Sequence, residues 1–291
     1  MSFLSVGIVG HVKEFQLMIR ALEQGIPVIL EGEAGTGKTE MAKAAARYLN
    51  RPLYRVDGDQ ELSSLKLQGW FDPPMVIQKG YSEDTFVPGS LTLAMQKGGV
   101  FLFNEVNRAP AECVNGTLTA IDERKIFIPR LGAITADSNF TSVFTCNPLD
   151  RVGTNPLPQA FFDRCVWIEV KHAPLKQALE IVKLRTGEED EELLDIICQI
   201  VQLSRTHKDT ISGASIRAAI FMVRIAQSYR ESGVDPKDFA TLLTISNAAL
   251  LQKIKLRYDS EYTEPELVED IVREVLEMEP LEKKKLGFRR V

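Results

Sequence analysis

Residues 32–39 have the composition and spacing of a loop that binds phosphate groups, between an apolar run at 26–30 and a helical stretch. They fit the pattern G-x-x-x-x-G-K-[ST] in the strand–loop–helix context that this pattern requires. Glycine permits positive φ and a close approach of backbone to ligand, so the loop N–H groups can point at an anion. Lys38 would reach the outer phosphates, and the Thr39 hydroxyl could hold Mg²⁺. The candidate nucleotide-binding residues are Gly32, Glu33, Ala34, Gly35, Thr36, Gly37, Lys38 and Thr39.

A second candidate group follows residues 100–103 (VFLF), an apolar run typical of a strand buried on both faces. The run ends in Asn104-Glu105. Nucleotide hydrolases usually have two acidic residues at this point, the first supporting Mg²⁺ and the second polarising the attacking water. Glu105 is therefore the candidate base. Asn104 keeps an oxygen that could orient the metal but lacks the charge, which predicts a weakened site.

Three further polar residues stand where they could join this site. Asn147 follows another apolar run, and the carboxyl ends of parallel strands line a ligand crevice, although an Asn before Pro is more often a turn residue. Arg164 could pair with Asp163 on the surface, or enter a neighbouring subunit's site as an arginine finger. Arg217 lies in the first turn of a helix that Ser215 would cap. A cation is unfavourable there, which indicates a compensating anion such as a phosphate.

Strands alternate with helices over residues 1–172, which predicts an α/β domain with a parallel sheet covered on both faces. Two irregular stretches, at about 71–88 and 124–142, each predict a small hairpin, the first pairing residues 75–78 with 85–87. Beyond residue 172 the strand patterns disappear, so 173–291 is predicted to be a helical domain. Its expected helices are 175–186, 190–205, 215–231, 236–255 and 264–277, and the expected core strands of the first domain are 26–30, 52–56, 100–103, 142–145 and 165–170.

The chain has 291 residues and a net charge of −5, which disfavours a broadly basic nucleic-acid surface. No apolar run approaches the length of a membrane span, and no signal peptide is evident. The four cysteines form no C-x-x-C pair, which favours buried thiols in a reducing cytosol over a metal site. We therefore expect a cytoplasmic protein.

Together these segments resemble the MoxR family of AAA+ ATPases over most of the chain. The gas-vesicle ATPases and the ATPases that activate Rubisco or nitric oxide reductase also fit parts of the pattern. Asn104 replaces the usual Asp, and Ile216 replaces the Pro of the lid motif. The matching runs are VGIVGHVKEFQLMIRALEQGIPVILEGEAGTGKT, VPGSLTLAMQKGGVFLFNEVNRAPAECVNGTLTAIDERKI, VFTCNPLDRVGTNPLPQAFFDRC and GASIRA.

The resemblance implies a P-loop AAA+ core whose five-stranded sheet has the order 5-1-4-3-2, a C-terminal all-α lid domain, and a ring that is most often a homo-hexamer. It implies ATP and Mg²⁺ as cofactors, with Ile8 and Val9 near the adenine. It also implies nucleotide-dependent roles for the residues already singled out from the sequence, namely Lys38, Thr39, Glu105, Asn147, Arg164 and Arg217.

Members of this family act as chaperones or maturation factors, often beside a protein with a von Willebrand factor A domain. The resemblance therefore implies ATP-driven remodelling of a client protein such as a metalloenzyme, with Trp70, Phe71 and Tyr81 as candidates for gripping the client. An alternative is a nucleotide-dependent ring scaffold in which Asn104 makes hydrolysis slow. A DNA-acting protein is a third possibility, disfavoured by the acidic charge balance.

Overall fold

The protein divides into two compact units, at the boundary between Lys171 and His172. The structure, a computed structural model, describes residues 7–148 and 154–281. Residues 149–153, in the loop after Asn147, and residues 282–291, the basic C-terminal tail, lie outside these described residues. Among the described residues, no helix combines the length and the apolar composition needed to cross a membrane.

The first unit is built from short strands and helices that alternate along the chain. Its strands are β1 (Val28–Glu31), β2 (Leu53–Asp57), β3 (Gly69–Phe71), β4 (Phe86–Pro88), β5 (Val100–Asn104), β6 (Lys125–Ile128), β7 (Gly132–Thr135), β8 (Thr141–Cys146) and β9 (Val166–Glu169). Its helices are α1 (Val12–Glu23), α2 (Lys38–Tyr48), α3 (Ser64–Gln68), α4 (Pro73–Lys79), α5 (Ser90–Lys97), α6 (Ala111–Glu123) and α7 (Gln159–Phe162).

Five of these strands form a parallel sheet in the order β2-β5-β8-β1-β9. Counting only these five strands along the chain, the order is 5-1-4-3-2, so the predicted topology is confirmed. The alternation of side chains along β5 explains its apolar run. Phe101 and Phe103 pack in one core cluster, while Val100 and Leu102 pack in the cluster on the opposite face.

The parallel arrangement brings the last residue of each strand to one edge of the sheet. Asp57 ends β2 and lies directly opposite Asn104, which ends β5. Glu31 ends β1 opposite Cys146, which ends β8. The loop at 32–39 follows β1 at the same edge, so the strand ends and the phosphate-loop sequence lie together.

The first insertion differs from the predicted hairpin, because residues 75–78 are helical. They belong to α4, where the Asp72 side chain accepts a hydrogen bond from the Met75 N–H and two prolines occupy the first turn. Asp72 and the prolines are strong helix-start signals that outweigh the apolar run. The antiparallel pair is formed instead by β3 and β4, which enclose the helix. The second insertion matches its prediction, since β6 and β7 pair as an antiparallel hairpin.

Two of the three aromatic residues proposed to grip a client make ring contacts within the insertions. Phe71 packs against the rings of Tyr81 and Phe86, with centroids 5.0 Å and 5.2 Å away. The Arg130 guanidinium lies over the Tyr81 ring, 4.3 Å from its centroid, and so joins the second insertion to the first. Trp70 is 43% exposed and Tyr81 49% exposed, so both present ring surface to solvent. The gripping role of the three aromatic residues stays a prediction.

The second unit packs its helices around a separate hydrophobic cluster. The largest difference from the predicted helix limits is at α11, predicted over 236–255 and observed over Phe239–Leu250. Its start is set by Asp238, whose carboxylate caps the N–H groups of Ala240 and Thr241. The sequence pattern did not predict the short antiparallel ladder formed by β10 (Thr210–Ser212) and β11 (Lys255–Leu256). The elements are α8 (Leu175–Thr186), α9 (Glu191–Thr206), β10 (Thr210–Ser212), α10 (Ile216–Glu231), α11 (Phe239–Leu250), β11 (Lys255–Leu256) and α12 (Glu264–Val275).

Phe144 should be a main contributor to the stability of the first unit. Its side chain is fully buried in β8, and its ring packs 4.7 Å from that of Phe161. We expect Phe144→Ala to lower the free energy of unfolding by about 3–5 kcal/mol in urea denaturation. Phe127→Ala is the control, because Phe127 is 71% exposed and its loss should cost about 0.5 kcal/mol or less. Equal losses for the two variants would contradict this account of the core.

Candidate nucleotide-binding site

The loop at 32–39 has the backbone geometry of a phosphate cradle. Gly35 and Gly37 have φ values of 81° and 100°, in the left-handed region that glycine tolerates best. A Cβ atom on Gly32 would lie 2.2 Å from the Val170 carbonyl oxygen, so a larger residue does not fit there. A Cβ atom on Gly37 would meet nothing within 4 Å, so the helix start at Lys38 faces open space. N–H groups at such a helix start favour an anion.

Lys38 is enclosed by the loop. Its side chain is 9% exposed, and Nζ donates to the carbonyl oxygens of Gly32 at 2.6 Å and Glu33 at 2.7 Å. The Thr36 hydroxyl donates to the same Glu33 carbonyl at 3.0 Å. The carbonyl groups thus hold the ammonium against the loop, where a phosphate bound by the N–H groups would meet it.

Thr39 connects the loop to the end of β5. Its hydroxyl donates to Asn104 Oδ1 at 2.9 Å. Thr145 in β8 donates its hydroxyl to the same Oδ1 at 3.0 Å. Because the Thr39 hydroxyl gives its hydrogen to Asn104, its lone pairs face away from the amide and remain available as metal ligands. Asn104 thus contacts the candidate metal ligand Thr39, and its own role towards a metal stays a prediction.

Asp57 is a site residue that the sequence reasoning missed. Asn104 Nδ2 donates to Asp57 Oδ1 at 2.8 Å. The Arg55 guanidinium in turn holds Asp57, with Nε 2.9 Å and 3.1 Å from its two carboxylate oxygens. The available signal was positional, since Asp57 ends a predicted strand as Asn104 does. Finding it required the order of the strands.

Glu105 is held in an unusual backbone conformation, with φ 54° and ψ 48°. A non-glycine residue in this region costs about 1–3 kcal/mol, and such strain clusters at functional sites. The Glu105 N–H donates to Thr145 Oγ1 at 2.9 Å, which fixes the turn. The carboxylate pairs with Arg108, Nε to Oε2 at 3.1 Å. The sequence reasoning did not single out Thr145 or Arg108.

Asn147 follows β8 at the carboxyl edge of the sheet, as predicted. Its carbonyl oxygen accepts a hydrogen bond from Asn107 Nδ2 at 3.2 Å. Asn107, which the sequence reasoning also missed, is 9% exposed, and its Oδ1 is buried without a hydrogen-bond partner among the described residues. This amide ties the loop after β5 to the loop after β8.

Arg164 forms a surface ion pair, but not with the partner considered from the sequence. Its guanidinium pairs with Asp122 of α6, and a second nitrogen donates to the Ala160 carbonyl at 2.7 Å. Asp163 instead accepts from Gln159 at 3.1 Å. The Asp122 pairing is invisible in the sequence because the two residues are far apart along the chain. The arginine-finger role stays a prediction.

The segment expected beside adenine is partly built into the core. Ile8 is 7% exposed and packs in the cluster that contains α1 and β1 side chains, whereas Val9 is half-buried. His11 follows with a positive φ of 49°, and its Nε2 is buried without a partner among the described residues. Burial lowers the pKa of His11, against the opposing effect of Glu14, so the ring is neutral near pH 7. The adenine contact stays a prediction.

Arg217 belongs to the second unit, near the start of α10. Ser215 precedes the helix as predicted, although its hydroxyl makes no capping hydrogen bond. The Gly213-Ala214 part of the motif is fixed to α9, because a Cβ atom on Gly213 would lie 2.2 Å from the Ser204 carbonyl oxygen. Arg217 itself is exposed, so a role towards phosphate stays a prediction.

The thiol groups lack the properties of nucleophiles. Burial, with the Glu31 carboxylate beside it, raises the pKa of Cys146 to about 12. Burial likewise raises the pKa of Cys165 and of Cys198 to about 12. A thiol with such a pKa stays protonated near neutral pH and is a poor nucleophile. The chemistry of the site therefore rests on oxygen and nitrogen groups.

Comparison with known families identifies the core of the chain. Residues 27–165 match the AAA domain of the dynein-related subfamily. The matched segment is similar to AAA domains. It contains the phosphate loop, the Asn104-Glu105 strand end, Asn147 and Arg164, whereas Ile8, Val9 and His11 precede it.

The proteins that are similar to this chain include gas vesicle ATPases. GvpN1 of Halobacterium salinarum is 28% identical over 274 residues, which cover 89% of this chain and 76% of that protein. GvpN of Ancylobacter aquaticus is 28% identical and covers 70% of this chain and 62% of that protein. The predicted resemblance to AAA+ ATPases of the MoxR and gas-vesicle type is confirmed.

Solved structures agree on the fold. A candidate ATPase from Cytophaga hutchinsonii has a TM-score of 0.52 and 21% identity, covering 93% of this chain and 91% of that one. The Holliday junction branch migration motor RuvB of Thermotoga maritima has a TM-score of 0.54 and 15% identity, covering 82% and 70%. At these identities the likeness concerns the fold alone. Together with the family match of residues 27–165, this likeness confirms the predicted fold class.

Two threonines of β8 test how the strand end is held. The Thr145 hydroxyl serves both Asn104 and the Glu105 N–H, whereas the buried Thr141 hydroxyl has no hydrogen-bond partner among the described residues. We expect Thr145→Val to destabilise the protein by about 1–3 kcal/mol, since a donor is left unpaired. Thr141→Val should be neutral or stabilising. Thermal and urea unfolding measure both, and equal effects would contradict the assigned network.

Proposed function

We propose that this chain binds ATP at residues 32–39 and hydrolyses it at the adjoining end of β5. The observation that best supports this proposal is the hydrogen bond between Thr39 and Asn104. That bond joins the loop that would hold the phosphates to the strand end that presents Glu105. The match of residues 27–165 to the AAA domain family also supports nucleotide binding.

The residues of the site fit a nucleotide with Mg²⁺. The loop offers N–H groups and Lys38 to the phosphates, and Thr39 and Asn104 offer the oxygen atoms that Mg²⁺ prefers. When bound there, Mg²⁺ would supply positive charge that neutralises the phosphates during hydrolysis. Glu105 would accept the proton of the attacking water after release from Arg108, and Asn147 would orient that water.

We propose that the active form is a homo-hexameric ring, as AAA+ proteins generally assemble into rings. In the ring, Arg164 would leave Asp122 and reach the nucleotide of a neighbouring subunit, where a guanidinium stabilises transition-state charge. Arg217 would contact phosphate from the second unit, acting as a lid. Ile8 and Val9 would lie beside the adenine. A ring divides each site between two subunits and couples hydrolysis to their movement.

We propose that hydrolysis remodels a client protein in the cytoplasm. The exposed apolar side chains of the two insertions support a contact with another protein, since Ile77 is 85% and Phe127 71% exposed. They join Trp70, Phe71 and Tyr81 as candidate gripping residues. A metalloenzyme client and a co-chaperone with a von Willebrand factor A domain fit the MoxR resemblance, and a gas-vesicle protein is the alternative that the names of the relatives suggest.

A second candidate function is a ring scaffold that binds ATP but hydrolyses it slowly. The observation that favours it is the neutral amide of Asn104 at the metal position. A DNA-acting motor has weaker support, because the likeness to RuvB concerns the fold and the chain carries a net charge of −5.

Steady-state ATPase assays separate the motor from the scaffold. We expect Glu105→Gln to lower the turnover of the wild type at least about 100-fold, because a general base contributes that much or more. Nucleotide binding should persist in this variant. Lys38→Ala should abolish binding as well as turnover.

The control for these assays is Glu123→Gln, at an exposed residue near the end of α6. Its turnover should equal that of the wild type. A wild-type turnover no higher than that of Glu105→Gln would contradict hydrolysis and leave the scaffold as the function.

A further inference from the structure

Asp57 stands behind Asn104 in the site, at the end of the neighbouring strand β2. We propose that Asp57 is a positioning residue: it fixes the Asn104 amide so that Thr39 can hold the metal of a bound nucleotide. This inference deepens the proposed function and rests on nucleotide binding at residues 32–39. It does not depend on the rate of hydrolysis.

The side-chain amide of Asn104 can take two orientations, with either Oδ1 or Nδ2 towards Thr39. Asn104 is 8% exposed and uses both ends of its side chain. Oδ1 accepts from Thr39 and Thr145, and Nδ2 donates to Asp57. An aspartate has no such ambiguity, because both of its ends are oxygen atoms. The replacement of aspartate by asparagine therefore creates a need for something that sets the direction of the amide.

Asp57 sets the orientation of the Asn104 amide. A carboxylate accepts hydrogen bonds and donates none, so it attracts Nδ2 and repels Oδ1. Arg55 lies two residues earlier on the same face of β2 and binds both oxygens of Asp57, which fixes the carboxylate in turn. The direction of the amide is thus determined by a chain of contacts from Arg55 through Asp57 to Asn104.

The direction of the amide determines how many lone pairs Thr39 can present to a metal. With Oδ1 forward, Thr39 donates to Asn104 and keeps both lone pairs for Mg²⁺. With Nδ2 forward, the amide would donate to one lone pair of Thr39, and the hydroxyl hydrogen would take one of the two positions that face the metal. Asp57 therefore acts through Asn104 and Thr39. Its own carboxylate need not touch the nucleotide.

An aspartate at position 104 would ordinarily be expected to bind the metal better than asparagine, but the contact with Asp57 predicts that Asn104→Asp gives no improvement. This substitution would place a second carboxylate at the position 2.8 Å from Asp57 that Nδ2 now occupies. Two carboxylates at that distance repel each other, and one must take a proton or move. The single variant should therefore bind the metal no better than the wild type. The exchange Asp57→Asn with Asn104→Asp should restore binding, since it again pairs one carboxylate with one amide.

The test measures the affinity for ADP and for a non-hydrolysable ATP analogue, with Mg²⁺ and with EDTA, by isothermal titration calorimetry. We expect Asp57→Asn to lower the Mg²⁺-dependent gain in affinity about 10–100-fold, the usual effect of losing a partner of a metal ligand. Affinity in EDTA should stay at the wild-type value. The exchanged double variant should recover most of the gain. Asp59→Asn, at an exposed residue just after β2, is the matched control and should behave as the wild type.

Arg55→Gln provides a second variant that leaves Asp57 in place, in case Asp57→Asn folds poorly. It should lower the Mg²⁺-dependent gain less than Asp57→Asn does. The inference is overturned if Asp57→Asn, or Arg55→Gln where the former does not fold, keeps the full wild-type gain. It is also overturned if Asn104→Asp alone exceeds the wild type, or if the wild type gains nothing from Mg²⁺. A wild type that gains affinity but does not turn over contradicts the proposed hydrolysis alone.

Discussion

The hydrogen bond from the Thr39 hydroxyl to Asn104 Oδ1 is the contact on which the rest of the site depends. It spans the loop after β1 and the end of β5, two elements that are separated in the sheet by β8. A parallel sheet places all its strand ends at one edge, and Thr145 of the intervening strand fills the gap with a second hydroxyl. Separate hydrophobic clusters pack against the two faces of the sheet and bury these strands.

Much of this arrangement could be predicted from the sequence. The glycine pattern at 32–39, the apolar run before Asn104 and the alternation of strands and helices are local signals with a direct physical meaning. They led to the correct sheet order through a family resemblance, and to Thr39, Asn104 and Asn147 at one edge. The apolar run of four residues in α4 fits either a strand or a helix, and the cap at Asp72 with the two following prolines selects the helix.

The residues that the sequence could not supply are those whose importance comes from long-range contacts. Asp57 and Thr145 carry no motif, and each matters because the strand order places it beside Asn104. The pairing of Arg164 with Asp122 is equally non-local. Asn104 alone predicts a weakened metal site. The contact with Asp57, which Arg55 holds, fixes the direction of the neutral Asn104 amide. The oxygen atom of the proposed site thus comes from β5, and the neighbouring negative charge comes from β2.

A crystal structure of the protein with Mg²⁺ and a non-hydrolysable ATP analogue tests the central claim most directly. The account predicts Mg²⁺ bound to the Thr39 hydroxyl oxygen at about 2.1 Å, with Lys38 turned to the phosphates and Thr39 still donating to Asn104. A metal held without Thr39, or a nucleotide bound away from residues 32–39, would contradict it.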